Sequence, residues 1–388
     1  MGRNEIRRFK LIYLDNCATT RVKKSVLDAM VKAMTEDYAN PSSLHTFGLD
    51  IEKKIRSCRQ EILDFLHGSG NLYFTSGATE GNNTIIHSFS KDKPQGTILT
   101  SPLEHASLKE PIQDLKNQGF QVKILKVDSL GNIDLEDLKE KVDQGVDLLA
   151  LTHVNSELGN ILPLDQVLEI IDGKGIHFHL DGVQAFGKIP VSLKGVDSYV
   201  FSGHKIHGPK GIGGLYIRNG IKVHPLVYGG GQEGNFRSGT ENVPGIFGLY
   251  EAVKEARDHL EENYGKVLNL KNYLLENLAE KIQGVHIHGD LNQASPYILS
   301  LAVEGTRGEV LLHMLEQDEI YLSTASACSS HKKEGKNPIH QAIGLDPAES
   351  IATIRICLND ELTKEDIDVF LSRFKEHVET LQAIIGRC

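Results

Sequence analysis

Two residues of complementary chemistry lie 24 positions apart in this 388-residue chain, each just after a short apolar run. Asp181 closes His177-Phe178-His179-Leu180-Asp181, and Lys205 closes Ser202-Gly203-His204-Lys205. A lysine amine and a carboxylate at two strand ends suit pyridoxal phosphate (PLP). The amine forms a Schiff base with the aldehyde, and the carboxylate keeps the pyridine nitrogen protonated so that the ring accepts electrons. The segment Thr75-Ser76-Gly77-Ala78-Thr79-Glu80 lies between a β-rich run and a helical pattern. There the backbone N–H groups around Ala78, the helix dipole and the Thr79 hydroxyl can bind a phosphate. The same segment also reads as an ordinary helix N-cap. His105, Asn155 and Gln184 follow three further apolar runs, so the polar groups converge on one sheet edge.

A different chemistry competes for the same stretch. His177, His179 and Asp181 at i, i+2 and i+4 share one face of a strand and could ligate a metal. The run is similar to the HxHxDH signature of metallo-β-lactamase-type hydrolases, with Gly182 in place of the last histidine. Packed strand histidines are the other reading. Gly203–Lys210, GHKIHGPK, departs from a P-loop because Pro209 follows the second glycine. Gly211, Gly213 and Gly214 lack dinucleotide-fingerprint spacing and precede a strand.

The elements that must position these residues are legible from periodicity. From Leu72 onward the runs LYF, TILT, QVKILKV, DLLALTHV, IHFHLD, VDSYVFS and GIGGLYI alternate with amphipathic stretches. They predict about seven strands with crossover helices, a mostly parallel α/β sheet. A helical stretch from Ser25 to Ile62 precedes them. After Gly245 come long helix, then HIHG, YILSLAV, a helix through Met314 and TIRICL, which predict a smaller α+β domain to which LIYLD returns. The expected division is 17–250 for the large domain, with 1–16 and 251–388 for the small one. The polar segment Ser329–Pro338 reads as an exposed loop.

Composition narrows the function classes. With 40% hydrophobic and 24% charged residues the chain is ordinary globular. A net charge of −10 opposes direct binding to nucleic acid or anionic membrane. Five cysteines, Cys17, Cys58, Cys328, Cys357 and Cys388, are odd in number and widely spaced, unlike a disulfide framework or a CxxC zinc site. The start has no apolar export signal and no run is long enough for a membrane span, so a cytoplasmic location is expected.

Taken together, the ordered motifs YLDNCATT (13–20), NPSSLHTFG (40–48), FTSGATEGNN (74–83), EHAS (104–107), HVNSELG (153–159), HLDGVQAFGK (179–188), FSGHKIHGPKGIGGLY (201–216), GGGQEGNFRSGT (229–240), SACSS (326–330) and TIRICL (353–358) span nearly the whole chain. The sequence resembles the class V aminotransferase family, and within it the cysteine desulfurases of the NifS/IscS type. The resemblance implies the aspartate aminotransferase-like, fold type I architecture of PLP-dependent transferases. It implies Lys205 as the PLP lysine, Asp181 on the ring nitrogen, His105 stacked on the ring and Gln184 on the phenolic oxygen. Ala78, Thr79, Ser202 and His204 would hold the phosphate, completed by Thr240 of a second subunit, so that a homodimer shares each site. Arg355, with Asn155 assisting, would clamp the substrate carboxylate, and Cys328 would be the catalytic thiol.

The implied reaction converts L-cysteine to L-alanine, leaving the sulfur as a persulfide on Cys328 for an acceptor protein of iron–sulfur cluster assembly or of tRNA or cofactor thiolation. An aminotransferase or selenocysteine lyase of the same fold, and the metal hydrolase built on His177, His179 and Asp181, stand as alternatives. Two departures from the family pattern matter. Cys357-Leu358-Asn359-Asp360 replaces the usual Ser-Leu-Gly-Arg, and Cys17 occupies a position often serine or asparagine. Cys17 reads as a packed thiol, and Cys58 and Cys357 as structural.

Overall fold

The computed structural model describes residues 10–324 and 337–385. Within them the chain forms two compact units, one of residues 19–156 and 161–261, the other of the segments before Thr19, Glu157–Asn160 and from Glu262 onward.

The first unit is built on a seven-stranded sheet. Its order is Gly70–Thr75, Gly213–Arg218, Ser198–Ser202, His177–Asp181, Leu148–Thr152, Thr97–Thr100, Gln121–Ile124. Only Gly213–Arg218 runs against the others, pairing antiparallel with both neighbours. The strands are apolar on both faces, as burial beneath helices on each side requires. Leu99, Leu149, Leu151, Tyr199 and Phe201 join one core with Ile51, Ile55, Ile246 and Leu249. The residues between them, Ile98, Leu148, Ala150 and Val200, join another with Ile85, Ile86, Leu108 and Ile112.

Helix boundaries follow local chemistry. The helical stretch expected from Ser25 to Ile62 is two helices, Lys24–Thr35 and Thr46–Phe65. They part at Asn40-Pro41, where Asn40 Oδ1 accepts the Ser42 N–H at 2.9 Å, an Asx turn that competes with helix. Helix Ala78–Asp92 crosses the sheet closely because Gly81 has no side chain: a Cβ there would come within 2.5 Å of Val200 Cγ1. This close approach brings the next residue, Asn82, to the end of strand His177–Asp181.

The second unit carries a four-stranded antiparallel sheet ordered Ser323–Thr324, Thr353–Cys357, Ile298–Val303, Val285–His288. Ile12–Tyr13 pairs in parallel with Ile320–Tyr321, so the first strand closes against residues some 300 positions later in the same unit. Arg355 lies on the interior strand, in register with Ser300 on one side and Ser323 on the other. Among the described residues no helix is long and apolar enough to cross a membrane.

Candidate active site

In the first unit, strand His177–Asp181 delivers Asp181 to the carboxyl edge of the sheet, and the neighbouring strand Ser198–Ser202 leads into the 3-10 turn Gly203–Lys205. Asp181 is buried, with its Oδ2 accepting from Asn82 Nδ2 at 2.8 Å and its Oδ1 from the Val183 N–H at 3.1 Å. Both donors are neutral N–H groups, so they occupy carboxylate lone pairs without bringing a compensating charge. The turn bearing Lys205 is tied from several directions. Gly203 N–H donates to Ile212 O, and Gly208 N–H donates back to Gly203 O. The Thr20 N–H and hydroxyl both donate to His204 O, while the His207 N–H donates to Thr20 Oγ1 at 2.7 Å.

The phosphate side is built on the first turn of helix Ala78–Asp92. The Ala78 N–H donates to Ser202 Oγ at 2.9 Å, joining the turn directly to the strand before Lys205. Thr79 is exposed at the helix start. Glu80 accepts from the Ser76 N–H and holds the Arg237 guanidinium through both carboxylate oxygens. That pair fixes the loop preceding Thr240, which is exposed. His204 Nδ1 contacts Thr19 Oγ1 at 3.2 Å. Burial, then the charges of Lys205, Lys210 and Lys188, push His204 down to about 4, so it is neutral at pH 7.

His105 caps helix Ala106–Asn117, its Nδ1 accepting from the Ser107 N–H at 3.1 Å. Gln184 Oε1 accepts from the buried Lys188 Nζ at 2.7 Å, which turns its amide N–H groups to the other side as the donors. Asn155 is buried and anchored by Nδ2 to Leu103 O at 2.9 Å. Beside His105, the buried Glu104 accepts from the hydroxyls of Ser101 at 2.6 Å and Thr152 at 2.5 Å. Burial pushes its carboxyl up to about 7, reinforced by the charge of Asp181 and partly offset by the two hydroxyls.

This donor set fits pyridoxal phosphate. Its carboxylate, amine, imidazole, oriented amide and helix N-terminus stand at the ends of neighbouring strands. Gly77, at φ +151, takes a backbone conformation that other residues rarely adopt, at the turn that leads into the helix start.

The metal reading of the same strand meets a different arrangement. His177 Nε2 and His179 Nδ1 both contact Ser198 Oγ, at 2.8 and 2.9 Å, and His179 Nε2 lies 2.8 Å from Asn82 Oδ1. Among the described residues no group of three His, Cys, Asp or Glu side chains could hold a metal ion. A histidine cannot complete the signature at position 182, because a Cβ on Gly182 would sit 1.8 Å from the ring of the fully buried Tyr199.

In the second unit, Arg355 is buried, and its Nη2 donates to Asp15 Oδ1 at 3.0 Å. Burial alone would lower the guanidinium pKa, but the electrostatic coupling to Cys357, Cys17, Asp15 and Glu157 outweighs it and raises the value. Glu157 accepts from Asn337 Nδ2 at 2.8 Å. The two departures from the family pattern meet here. Asn359 Nδ2 donates to Asn16 Oδ1, and the buried Cys17 and Cys357 thiols interact with each other. Cys58 is buried in its helix, and burial pushes its thiol up to about 12. Cys328 lies outside the described residues. Sequence reasoning passed over Asn82, Ser107, Glu104 and Lys188, although three of them stand inside the motifs GATEGNN and EHAS and the fourth ends HLDGVQAFGK.

The class V aminotransferase family profile matches residues 12–370. The chain belongs to that family, among its cysteine desulfurases of the NifS/IscS type. It is 36% identical over 378 residues to the cysteine desulfurase of Nostoc sp., covering 96% of this chain and 94% of that protein. It is 38% identical over 388 residues to the cysteine desulfurase IscS of Methanosarcina thermophila, covering 98% of this chain and 95% of that one. A solved NifS-like protein, 36% identical, superposes with a TM-score of 0.89 over 96% of this chain and 100% of its own.

The buried Glu104 gives a stability test. Between about 4.5 and about 7 the folded protein keeps a proton on Glu104 that the unfolded chain has released, so this group's contribution to stability falls as pH rises through that window. Glu104→Gln removes the titration. Its stability relative to wild type should therefore improve from pH 4.5 to pH 8, by on the order of 2 kcal/mol in chemical unfolding. A difference that does not vary with pH contradicts the buried, proton-holding carboxyl.

Proposed function

We propose that this protein is a PLP-dependent cysteine desulfurase, converting L-cysteine to L-alanine and keeping the sulfur on Cys328. The observation that carries the reading is the meeting of three elements in one unit. Asp181 and the Lys205 turn end neighbouring strands, and the start of helix Ala78–Asp92 hydrogen-bonds to both strand ends, Ala78 to Ser202 and Asn82 to Asp181.

When bound, PLP supplies an aldehyde that condenses with amines and a ring that takes up an electron pair from the substrate. Asp181 would hold the ring nitrogen protonated, and Gln184, whose Oε1 is taken by Lys188, would donate to the phenolic oxygen. The helix N-terminus, Thr79, Ser202 and His204 bind the phosphate; a neutral His204 acts there as a hydrogen-bonding group rather than a cation. Arg355 and Asn155 orient the substrate carboxylate. Lys205 would move the α-proton, a task suited to an amine. The Cys328 thiolate then forms an S–S bond to the substrate sulfur as the Cβ–S bond breaks with its electron pair going to carbon, which is protonated to give alanine. The persulfide sulfur passes to an acceptor protein serving iron–sulfur cluster assembly or thiolation.

A homodimer completes the phosphate site through Thr240. Two features support it: Thr240 is exposed, and Leu27, Val31 and Met34 form an exposed apolar stripe on helix Lys24–Thr35, continued by Tyr38 and Leu44. Such a stripe on a soluble surface marks an interaction face.

Two experiments test this reading. Cys328→Ser should bind PLP and L-cysteine yet release sulfide at background, while mass spectrometry finds an added sulfur on the Cys328 peptide of wild type. Wild-type turnover in the variant, or sulfur mapped to Cys17, contradicts it. Mixing Thr240→Ala with Lys205→Ala chains should restore activity through one intact composite site. No recovery despite demonstrated subunit exchange rejects the shared site.

A further inference from the structure

We propose that Asn82 is a positioning residue that couples His105 to Asp181: through Ser107 it fixes which ring nitrogen of His105 carries the proton, and through His179 its own amide is locked to serve Asp181. The inference rests on the PLP reading for the roles of those two residues, but the wiring itself is a property of the chain.

Asn82 is fully buried, and its amide offers two N–H donors and one acceptor oxygen. Nδ2 donates to Asp181 Oδ2 at 2.8 Å and to Ser107 Oγ at 2.9 Å. Oδ1 lies 2.8 Å from His179 Nε2. A carbonyl oxygen only accepts, so His179 must carry its hydrogen on Nε2. Burial, then the neighbouring His177, pushes His179 down to about 3, so the ring is neutral and has one hydrogen to place. His179 Nδ1 is therefore an acceptor and takes the Ser198 hydroxyl hydrogen at 2.9 Å. Ser198 Oγ in turn accepts from His177 Nε2–H at 2.8 Å. The opposite amide orientation would set oxygen against carboxylate at Asp181.

The other arm follows from the same orientation. Ser107 Oγ accepts from Asn82, and its own hydrogen points to His105 Nδ1 at 2.8 Å. The Ser107 backbone N–H aims at the same nitrogen at 3.1 Å. His105 Nδ1 is thus an acceptor twice over, and the neutral ring carries its hydrogen on Nε2. Protonating Nδ1 would turn the Ser107 hydroxyl away and oppose a backbone N–H, so the network resists charging His105. One amide thereby supplies Asp181 with a neutral donor and, through Ser107, adds to the backbone N–H in keeping His105 a donor at Nε2.

The experiment uses the purified full-length protein with its histidine rings labelled with 15N, first without and then with PLP, the His105 and His179 signals being assigned through His105→Gln and His179→Gln. In wild type both rings should show the single Nε2–H tautomer across pH 6 to 9. In Asn82→Ala the Ser107 hydroxyl loses its donor and can accept from Nδ1–H. His105 should then show both tautomers and its pKa should rise by about one unit; His179 should also lose its single tautomer. Ser107→Ala leaves the buried amide in place and removes one of the two donors to His105 Nδ1 while the backbone N–H remains, so the Nδ1–H tautomer of His105 should grow, by less than in Asn82→Ala, with His179 unaltered, which keeps the test available if Asn82→Ala misfolds. A folded variant whose His105 tautomer and titration match wild type overturns the proposal. The cofactor reading is judged separately: added PLP that gives wild type no visible absorbance band defeats that reading, while the ring signals of the apoprotein still decide the wiring.

Discussion

The active-site architecture depends on keeping one carboxylate charged inside the protein. Removing an ionised carboxylate from water is costly unless hydrogen-bond donors replace the solvent. Asp181 meets this requirement with two N–H groups, from Asn82 and Val183, rather than with a lysine or arginine. A cationic partner would satisfy the carboxylate and leave little negative potential for a ring nitrogen. Neutral donors stabilise the charge while leaving it to act, which is the condition the proposed chemistry needs.

Much of the first unit can be read as what that condition demands. Gly81 lets helix Ala78–Asp92 lie close enough to strand Ser198–Ser202 for Asn82 to reach Asp181. Tyr199 fills the space behind Gly182 and excludes any side chain there. Thr20 fastens the turn before Lys205, and Ser202 joins that turn to the helix start. Glu104 takes the opposite course from Asp181: buried with two hydroxyl partners, it retains its proton up to about pH 7. Two neighbouring carboxyls thus have different partners, N–H groups at Asp181 and two hydroxyls at Glu104.

The sheet, and the residues placed just after its strands, were legible because apolar runs of period two and the turn residues behind them are local signals. Asp181, Ser202 and Lys205 could be picked out on that ground alone. The hydrogen-bond partners could not, since they join positions far apart: Asn82 to Asp181 across 99 residues and Arg355 to Asp15 across 340. His177-Phe178-His179-Leu180-Asp181 shows the limit most clearly. Alternation brings the same side chains to one strand face whether they bind a metal or each other's neighbours. Ser198 and Asn82, on other elements, decide between the two. Helix ends at Thr35 and Thr46 were missed because the Asx turn at Asn40 overrides a continuous apolar period.

The central claim is that Lys205, at the end of the strand beside Asp181, is the residue that carries PLP. The most direct measurement is to reduce the holoenzyme with borohydride, digest it and locate the pyridoxyl group by mass spectrometry. The account predicts a single modified peptide with the added mass on Lys205. A pyridoxyl group on Lys188 or Lys210 instead, or none in a protein that shows the cofactor's absorbance, would contradict it.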